Sequence, residues 1–361
     1  MATATTTPTT ARGTTRWLRR LREAALIVAL VVLALYPPLA GGFVPQQATG
    51  YLIYGLLAFS VALIVGYARL FNIGIGATFG ASAYAVAILS QHGVHDPLPL
   101  LVASIGAGLA MSVVFAIYAV VASGIEYLML TFLTTMAMWR VPSLAPELTG
   151  GDNGLIVKGG LKVSFGLSPL FGTGFYYFTL GVVVACVLLC WYVLASQAGK
   201  AVRAIGRNPQ RAAAMGYHVN QYRVALTFLA GFVAAVAGWL FALQRSFVSE
   251  DLLGLTNSLN GLVYALVGGV DYLLGPFAGA TGFRYLTETL GRYSTQSGLY
   301  IGLALLVVVY LMPDGVLGLL PTLIRRLSGL APFRGRRQTP LYSLSPATAR
   351  EQGRPSAEGQ G

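Results

Sequence analysis

The segment QAGKAVRAIGRNPQRAAAMGYHVNQYR, residues 197–223, is a long basic and polar stretch inside an otherwise apolar chain. It carries five cations and no acid, and a strongly apolar run lies on each side of it. The whole chain of 361 residues is 55% hydrophobic and only 10% charged, whereas a soluble globular protein has about 25% charged residues. These features predict an all-α polytopic membrane protein in which residues 197–223 form an interior loop.

The apolar runs predict the transmembrane helices. A helix needs about 20 predominantly apolar residues to span a bilayer, and the runs that approach this length predict about 8–10 spans. Several runs are short or rich in glycine, so broken or re-entrant segments are expected among them. The candidate spans are residues 24–42, 50–68, 71–90, 98–122, 124–141, 175–196, 224–244, 255–270, 276–290 and 298–320.

The positions of the cations predict the orientation of the chain. Lysine and arginine collect on the cytoplasmic side of a membrane. This rule places a basic tail at 1–23, the loop 197–223 and a basic tail at 321–361 in the cytoplasm, with the transmembrane domain over 24–320. The second tail is rich in Pro, Ser, Gly and Gln, which is typical of disorder. A transit peptide is the alternative interpretation of residues 1–23.

The composition does not indicate catalysis, metal binding or nucleic-acid binding. A net charge of +12 could suit a nucleic acid, but the cations lie in short blocks between apolar runs, as membrane topology requires. Cys186 and Cys190 lie four residues apart in one apolar run and fit small core residues. His92, His95 and His218 have no metal-ligand spacing. We therefore expect no enzyme activity, no cofactor or metal, and no nucleic-acid partner.

The sequence of the loop 197–223 predicts two helices separated by a break at Asn208 and Pro209. Asn208 fits an N-cap and Pro209 the first helical position, while Gly216 is a helix-stop signal. The second helix is short and rich in alanine, so another protein could approach it closely. The alternative is a basic helix lying on anionic lipid, although the alanines offer little apolar bulk for insertion.

Two segments, residues 66–84 and 265–290, are dense in glycine. Glycines let helix backbones approach closely, and they also allow helices to break at membrane depth around a solute path. Path-lining elements and plain helix packing therefore both remain open. Residues 76–81 and 275–280 share the pattern G-x-x-x-G-A, which hints at an internal repeat. The candidate path residues are Asn72, Gly74, Gly76, Thr78, Gly80, Gly268, Gly269 and Gly275.

A possible charged pair lies in one of the predicted spans. Arg284 and Glu288 are four residues apart, which places them on one helix face. An ionisable residue at membrane depth is a functional hypothesis by default. The alternative is a mutually neutralising pair that has only a structural role.

Several motifs, taken in order, resemble the inner-membrane permease subunits of branched-chain amino-acid (Liv-type) ABC importers. The resemblance covers about residues 50–320 and implies a small-solute permease of the bacterial inner membrane. It also implies three kinds of protein partner: ABC ATPase subunits, a second homologous permease subunit and a periplasmic or extracellular solute-binding protein. The motifs are LTGGDNGL (148–155), GKAVRAIGRNPQRAAAMGY (199–217), GGVDYLLGPFAGA (268–280) and LMPDGVLGLL (311–320).

The resemblance assigns a role to the basic loop. In such importers this cytoplasmic element sits in a groove of the ATPase subunit and converts ATP-driven closure into opening of the permease. The chain has no G-x-x-x-x-G-K-[ST] motif, so phosphate binding would belong to separate subunits. The positions that carry the implied coupling role are Gly199, Lys200, Arg203, Ala204, Arg207, Asn208, Pro209, Ala212 and Gly216.

Four residues depart from the family pattern. Arg69 replaces a small residue, Asn72 a serine, Ile75 a histidine and Asp271 a glycine. They leave the solute open among branched-chain amino acids, urea, short amides and similar small molecules. The alternative function is a secondary transporter driven by an ion gradient, which would be expected to carry buried acids in several spans; the spans here carry few ionisable residues.

Overall fold

The structure, a computed structural model, describes residues 44–157 and 173–293 together with Gly302, Leu306 and Gly315. The predicted tails 1–23 and 321–361, the candidate span 24–42 and nearly all of the candidate span 298–320 lie outside the described residues. The described part of the chain is helical almost throughout, which confirms the prediction of an all-α polytopic membrane protein.

Within residues 44–157, and again within residues 173–293, the helices follow one another with short connections. A π-helical turn, Leu63–Ala68, continues the first helix, and two residues of strand β1 (Leu155–Ile156) pair antiparallel with strand β2 (Phe247–Val248). The helices are α1 Val44–Ala62, α2 Ile75–Gln91, α3 Pro97–Val121, α4 Ile125–Leu144, α5 Pro146–Thr149, α6 Thr173–Ala195, α7 Gln197–Arg207, α8 Pro209–Ala214, α9 Val219–Arg245, α10 Leu255–Gly268 and α11 Gly275–Tyr293.

Every candidate span inside the described residues coincides with a helix, but only some of these helices qualify as spans by themselves. Four are long and apolar enough to cross a membrane: α1 with its π-helical turn, α3, α6 and α9. Helix α4 qualifies only together with Pro146–Asn153, across a bend of 89°. The described residues therefore give four or five spans by length and composition, fewer than the 8–10 predicted for the whole chain.

Helices α1 and α9 form the centre of the described structure. In their most apolar windows 78% and 72% of the residues are buried, against 39% for α3 and 33% for α6. Helix α9 packs against α1, α2 and α3. The outer helices expose large apolar side chains such as Val102 and Trp191, which suits helices that face lipid.

The connecting segments collect at two opposite ends of the helices. At the basic end, residues 63–74, 196–218 and 268–275 meet, and Arg69 lies 3.2 Å from Asp271. At the acidic end, residues 91–97, 145–157 and 245–254 meet, and Gln91 donates a hydrogen bond to the carbonyl of Ile156 at 2.6 Å. This grouping matches the order of crossings expected from the sequence. The described acids of the second end are Asp96, Glu147, Asp152, Glu250 and Asp251.

Candidate functional site

The basic loop has the local structure that its sequence predicts. The side chain of Asn208 accepts a hydrogen bond from the backbone N–H of Arg211 at 3.0 Å, and Pro209 begins helix α8. At the other end, Gly216 has a φ of +84°, and the N–H of Tyr217 donates to the carbonyl of Ala212 at 3.1 Å. This is the glycine-dependent helix end that satisfies the last carbonyls of a helix. The predicted break and the predicted stop are both confirmed.

Helix α7 has one buried face and one charged face. Its apolar residues Val202 and Ile205 are buried, and four of the five cations of the loop are exposed, while Arg223 is partly buried. Among the described residues, ion pairs involve only Arg69 with Asp271 and Arg284 with Glu288. The loop therefore presents positive charge that no described acid neutralises. The exposed cations are Lys200, Arg203, Arg207 and Arg211.

Two glycines let α7 lie directly on the main chain of its neighbours. A Cβ added at Gly199 would collide with the backbone of Leu194, and a Cβ added at Gly206 would collide with the carbonyl of Tyr67. The guanidinium of Arg203 also lies 5.0 Å from the centre of the Tyr67 ring, within range for a cation–π contact. Sequence reasoning missed Gly206 and Tyr67. Gly206 could have been identified from the sequence, because it is a glycine on the predicted buried face of an amphipathic helix.

The other predicted coupling positions fall on both sides of the loop. Ala212 is buried and Ala204 is partly buried, so neither is part of the outer surface. Asn208 and Gly216 shape the backbone, while Pro209 is exposed at the start of α8. The outer surface is instead completed by Met215 and Tyr217, both exposed.

The segment under α7 connects the two glycine-rich regions. Gly66 faces the carbonyl of Val270, with 2.5 Å between that oxygen and an added Cβ. Three residues later, Arg69 adopts a φ of +55° and pairs with Asp271. Arg69 and Asp271 are two of the four departures from the family pattern, and they carry opposite charges. Their contact explains how a cation and an acid occupy these two positions together.

Asn72 anchors the turn before α2. Its Nδ2 donates to the hydroxyl of Tyr127 at 2.9 Å, and its Oδ1 accepts from the N–H of Gly74 at 2.6 Å. Asn72 and Tyr127 are both buried. The hydroxyl of Thr135 donates to the carbonyl of Ile73 at 3.2 Å. The turn is therefore fixed to α4, a partnership that the sequence did not reveal.

The predicted path residues lie in close helix contacts. Gly76 faces Ser258 of α10, Gly80 faces the backbone of Leu252 and Leu253, and Gly74 faces the ring of Phe115. Gly268, Gly269 and Gly275 approach one another where α10 meets α11, and Thr78 is buried in α2. All eight positions are buried, which fits helix packing; a role in the solute path stays a prediction.

At the acidic end, the predicted turn LTGGDNGL is present. Gly150, Gly151 and Gly154 have φ values of +74°, +58° and +67°, a conformation that glycine adopts without steric cost. The hydroxyl of Ser143 lies within hydrogen-bonding distance of Asp152 at 2.8 Å and of Glu250 at 3.0 Å and shares its one proton between them, which ties this turn to the segment after α9. Within residues 44–157 and 173–293, no three His, Cys, Asp or Glu side chains are grouped closely enough to hold a metal ion.

Comparison with curated proteins identifies the relatives of the chain. It is 28% identical to the fructose import permease protein FrcC of Rhizobium meliloti over 45% of this chain and 46% of that protein. It is 28% identical to the autoinducer 2 import system permease protein LsrC of Enterobacter sp. (strain 638) over 72% and 77%. It is 24% identical to the branched-chain amino acid permease protein LivM of Salmonella typhimurium over 86% and 78%.

No solved structure matches the chain. A family profile described as "Branched-chain amino acid transport system / permease component" matches residues 46–312, which is well over half of the chain. The match contains every described helix but the first two residues of α1. The chain therefore belongs to this permease family of ABC importers.

Proposed function

We propose that the chain is an inner-membrane permease subunit that forms half of the path for a small solute and is driven by separate ATPase subunits. In this proposal α7 and α8 are the coupling element at the cytoplasmic face. A second permease subunit completes the path, and a solute-binding protein delivers the solute to the acidic end.

The observation that carries the proposal is the outward charge of the basic loop. Lys200, Arg203, Arg207 and Arg211 are exposed, while the opposite face of α7 is fixed by Gly199 and Gly206 against the main chain. A partner that pushes on the exposed face would therefore move the backbone at Tyr67 directly. Tyr67 is two residues before Arg69, which pairs with Asp271, so the same motion would reach both glycine-rich segments.

We propose branched-chain amino acids as the solute, because the similarity to LivM extends over 86% of this chain. Sugars are the second candidate. The relatives named for fructose and autoinducer 2 import have the higher identity of 28%.

Capture of the ATPase tests the coupling role. The substitutions Arg203→Glu and Arg207→Glu together should abolish both co-purification of an ABC ATPase and ATP-driven uptake, because they place acids on a surface built from cations. The matched control, Arg140→Glu with Arg245→Glu, reverses two exposed charges away from α7 and should retain capture. Equal capture by both double variants, at equal membrane levels, would contradict the proposal.

Labelling tests the orientation. A cysteine at Gln210, which is exposed on α8, should react with a membrane-impermeant maleimide only in inside-out vesicles. A cysteine at Leu148, exposed at the acidic end, should react only in right-side-out vesicles. The opposite pattern would place the basic loop outside the cell and remove the ATPase from reach.

A further inference from the structure

Helix α11 has the length of a span but not its composition. The helix has 19 residues, GPFAGATGFRYLTETLGRY. It is not one of the described helices that are apolar enough to cross a membrane on their own. Thr281, Arg284, Tyr285 and Glu288 are spaced by three or four residues and therefore share one face of the helix. Thr281 and Tyr285 are exposed, and Glu288 is partly so.

Two tyrosines of α1 hold the charged pair on this face. The guanidinium of Arg284 lies 3.4 Å from a carboxylate oxygen of Glu288 and 4.0 Å from the centre of the Tyr54 ring. The hydroxyl of Tyr51 donates to the other carboxylate oxygen of Glu288 at 2.6 Å. Two helices thus fix one cation and one anion side by side against aromatic rings. The Arg284 and Glu288 side chains remain 17% and 31% exposed, so the pair is accessible from one side.

The positions of the pair along its helices correspond to membrane depth if the starts of α1 and α11 mark the two surfaces. Tyr51 and Tyr54 follow the start of α1, at the acidic end, by about 10 and 15 Å at 1.5 Å per residue. Helix α11 runs in the opposite direction, and Arg284 and Glu288 follow its start by about 14 and 20 Å. The hydrocarbon core of a bilayer is about 30 Å thick, so these positions would lie about 10 to 15 Å from the nearer surface.

Lipid is a poor neighbour for this face of α11. Charged residues at membrane depth face the protein interior or a water-filled cavity, since their exposure to hydrocarbon is costly. This face of α11 carries hydroxyl groups and charges, and the side chains of Arg284 and Glu288 remain partly exposed on it. Such a face suits contact with water and a solute. We infer that Arg284 and Glu288, oriented by Tyr51 and Tyr54, form a solute-contacting site on the translocation path that takes a zwitterionic amino acid.

The chemistry of the site favours a zwitterion. An α-amino acid carries its carboxylate and its ammonium on one carbon, so it can offer the carboxylate to Arg284 and the ammonium to Glu288 together. The pair has no net charge and neither does the ligand, so no net charge enters the membrane. The rings of Tyr54, Tyr264 and Phe283, with centroid separations of 6.4 and 5.6 Å, provide an aromatic wall beside the pair, as small-molecule sites commonly have.

Binding to the purified permease in lipid nanodiscs tests this site without ATPase subunits. Saturation-transfer NMR should detect leucine on the wild-type chain and give no comparable signal for ribose. In the double variant Arg284→Gln with Glu288→Gln the leucine affinity should fall at least about tenfold, because two charge-assisted contacts to the solute are lost. This variant leaves no unpaired charge at membrane depth, so it should still insert and fold.

Three further variants separate solute contact from structure. Tyr51→Phe keeps the ring but removes the hydroxyl that orients Glu288, and it should weaken leucine binding by a smaller factor. Tyr192→Phe removes an exposed hydroxyl of α6, and Glu126→Gln with Arg140→Gln removes two exposed charges of α4; both should bind leucine like the wild type. A merely structural pair predicts unchanged leucine binding in the neutral double variant, and that result would overturn the inference.

The inference rests on the proposed permease function, yet the two can fail separately. If leucine binds but is not taken up with ATP in the presence of ATPase subunits, the proposed permease function is contradicted and the proposed solute site is retained. If ATP-driven leucine uptake is equal in the wild type and the neutral double variant, the proposed solute site is contradicted and the proposed permease function is retained. A ribose signal that disappears in the double variant would overturn the assignment of a zwitterion.

Discussion

The two glycine-rich segments share the pattern G-x-x-x-G-A but use it on different partners. In residues 66–84, Gly76 faces Ser258 and Gly80 faces the backbone of Leu252, both far away in the chain. In residues 265–290, Gly275 and Gly279 face the backbone of α10, the helix immediately before their own. The first segment therefore makes long-range contacts, and the second closes a local helical hairpin.

This difference places α10 in a central position. Gly76 of α2 meets α10 on one side through Ser258, and Gly279 of α11 meets it on another through the carbonyl of Tyr264. The repeated pattern thus predicts where a helix backbone can come close, but not which helix it meets. If the pattern records an internal repeat, its two copies have different surroundings.

The contact between α10 and α11 should be more sensitive to substitution of its glycines than the long-range contact of α2. A Cβ at Gly268 would meet backbone atoms of Gly275 and Gly279, and backbone cannot move aside as a side chain can. We expect Gly268→Ala to lower the free energy of unfolding by about 3 kcal/mol or more, at the upper end for overpacked sites. The measurement is the thermal unfolding midpoint in detergent, together with the level of folded protein in the membrane.

Gly282→Ala is the matched control for this substitution. Gly282 lies in the same helix and nothing would contact its added Cβ within 4 Å, so alanine should be neutral or should stabilise the helix by up to about 1 kcal/mol. If the two variants unfolded at the same temperature, the close approach of α10 and α11 would be refuted.

The long-range contact should be more tolerant. A Cβ at Gly76 would meet the Oγ of Ser258 first and the backbone of Ser258 second, at 2.7 Å. We expect Gly76→Ala to cost about 2 kcal/mol, within the usual range for overpacking. Ser258→Ala removes the nearest obstacle but also the hydroxyl that accepts a hydrogen bond from the N–H of Gly76 at 3.0 Å, so the two substitutions together should cost less than the sum of the single ones. A double-mutant cycle measures this coupling, and strict additivity of the two substitutions would contradict the contact.

Local chemistry and long-range contacts were not equally predictable from the sequence. The N-cap Asn208 and the stop at Gly216 depend on residues within a few positions, so the sequence alone predicted both. The contacts of Gly206 with Tyr67 and of Asn72 with Tyr127 join residues that are far apart in the chain, and no local pattern encodes them. For the same reason, the sequence shows Arg69 and Asp271 only as two separate departures from the family pattern, and their ion pair is visible only in the structure.

The described residues test the helical class more fully than the number of spans, because two candidate spans lie outside them. Apolar composition identifies α1, α3, α6 and α9, because these helices carry few charges over a full span length. Helices α10 and α11 escape this criterion, since α10 has only 14 residues and α11 carries Arg284 and Glu288. A helix that is shielded by other helices needs less apolar surface than one that faces lipid, and composition alone does not reveal the shielding.

The turn before α2 offers a further test of the first segment. Asn72→Ala would leave the buried hydroxyl of Tyr127 without the amide that now donates to it. We expect a loss of about 1–2 kcal/mol, because one of the two side-chain hydrogen bonds of this buried hydroxyl is lost and only the one with Thr227 remains. Tyr127→Phe in the Asn72→Ala background should recover part of the loss, measured by the same unfolding midpoint. No recovery would mean that the cost of Asn72→Ala comes from the Gly74 turn alone.

The smallest effect is expected where the two segments meet. Arg69 and Asp271 are 57% and 66% exposed, so their ion pair should contribute no more than about 1 kcal/mol to stability. Arg69→Ala and Asp271→Asn should each lower the unfolding midpoint slightly, and their combination should cost no more than either alone. Salt at about 1 M reduces the Debye length to about 3 Å, so the effects should fade there. Losses from the single substitutions that persist unchanged at high salt would contradict the ion pair as their cause.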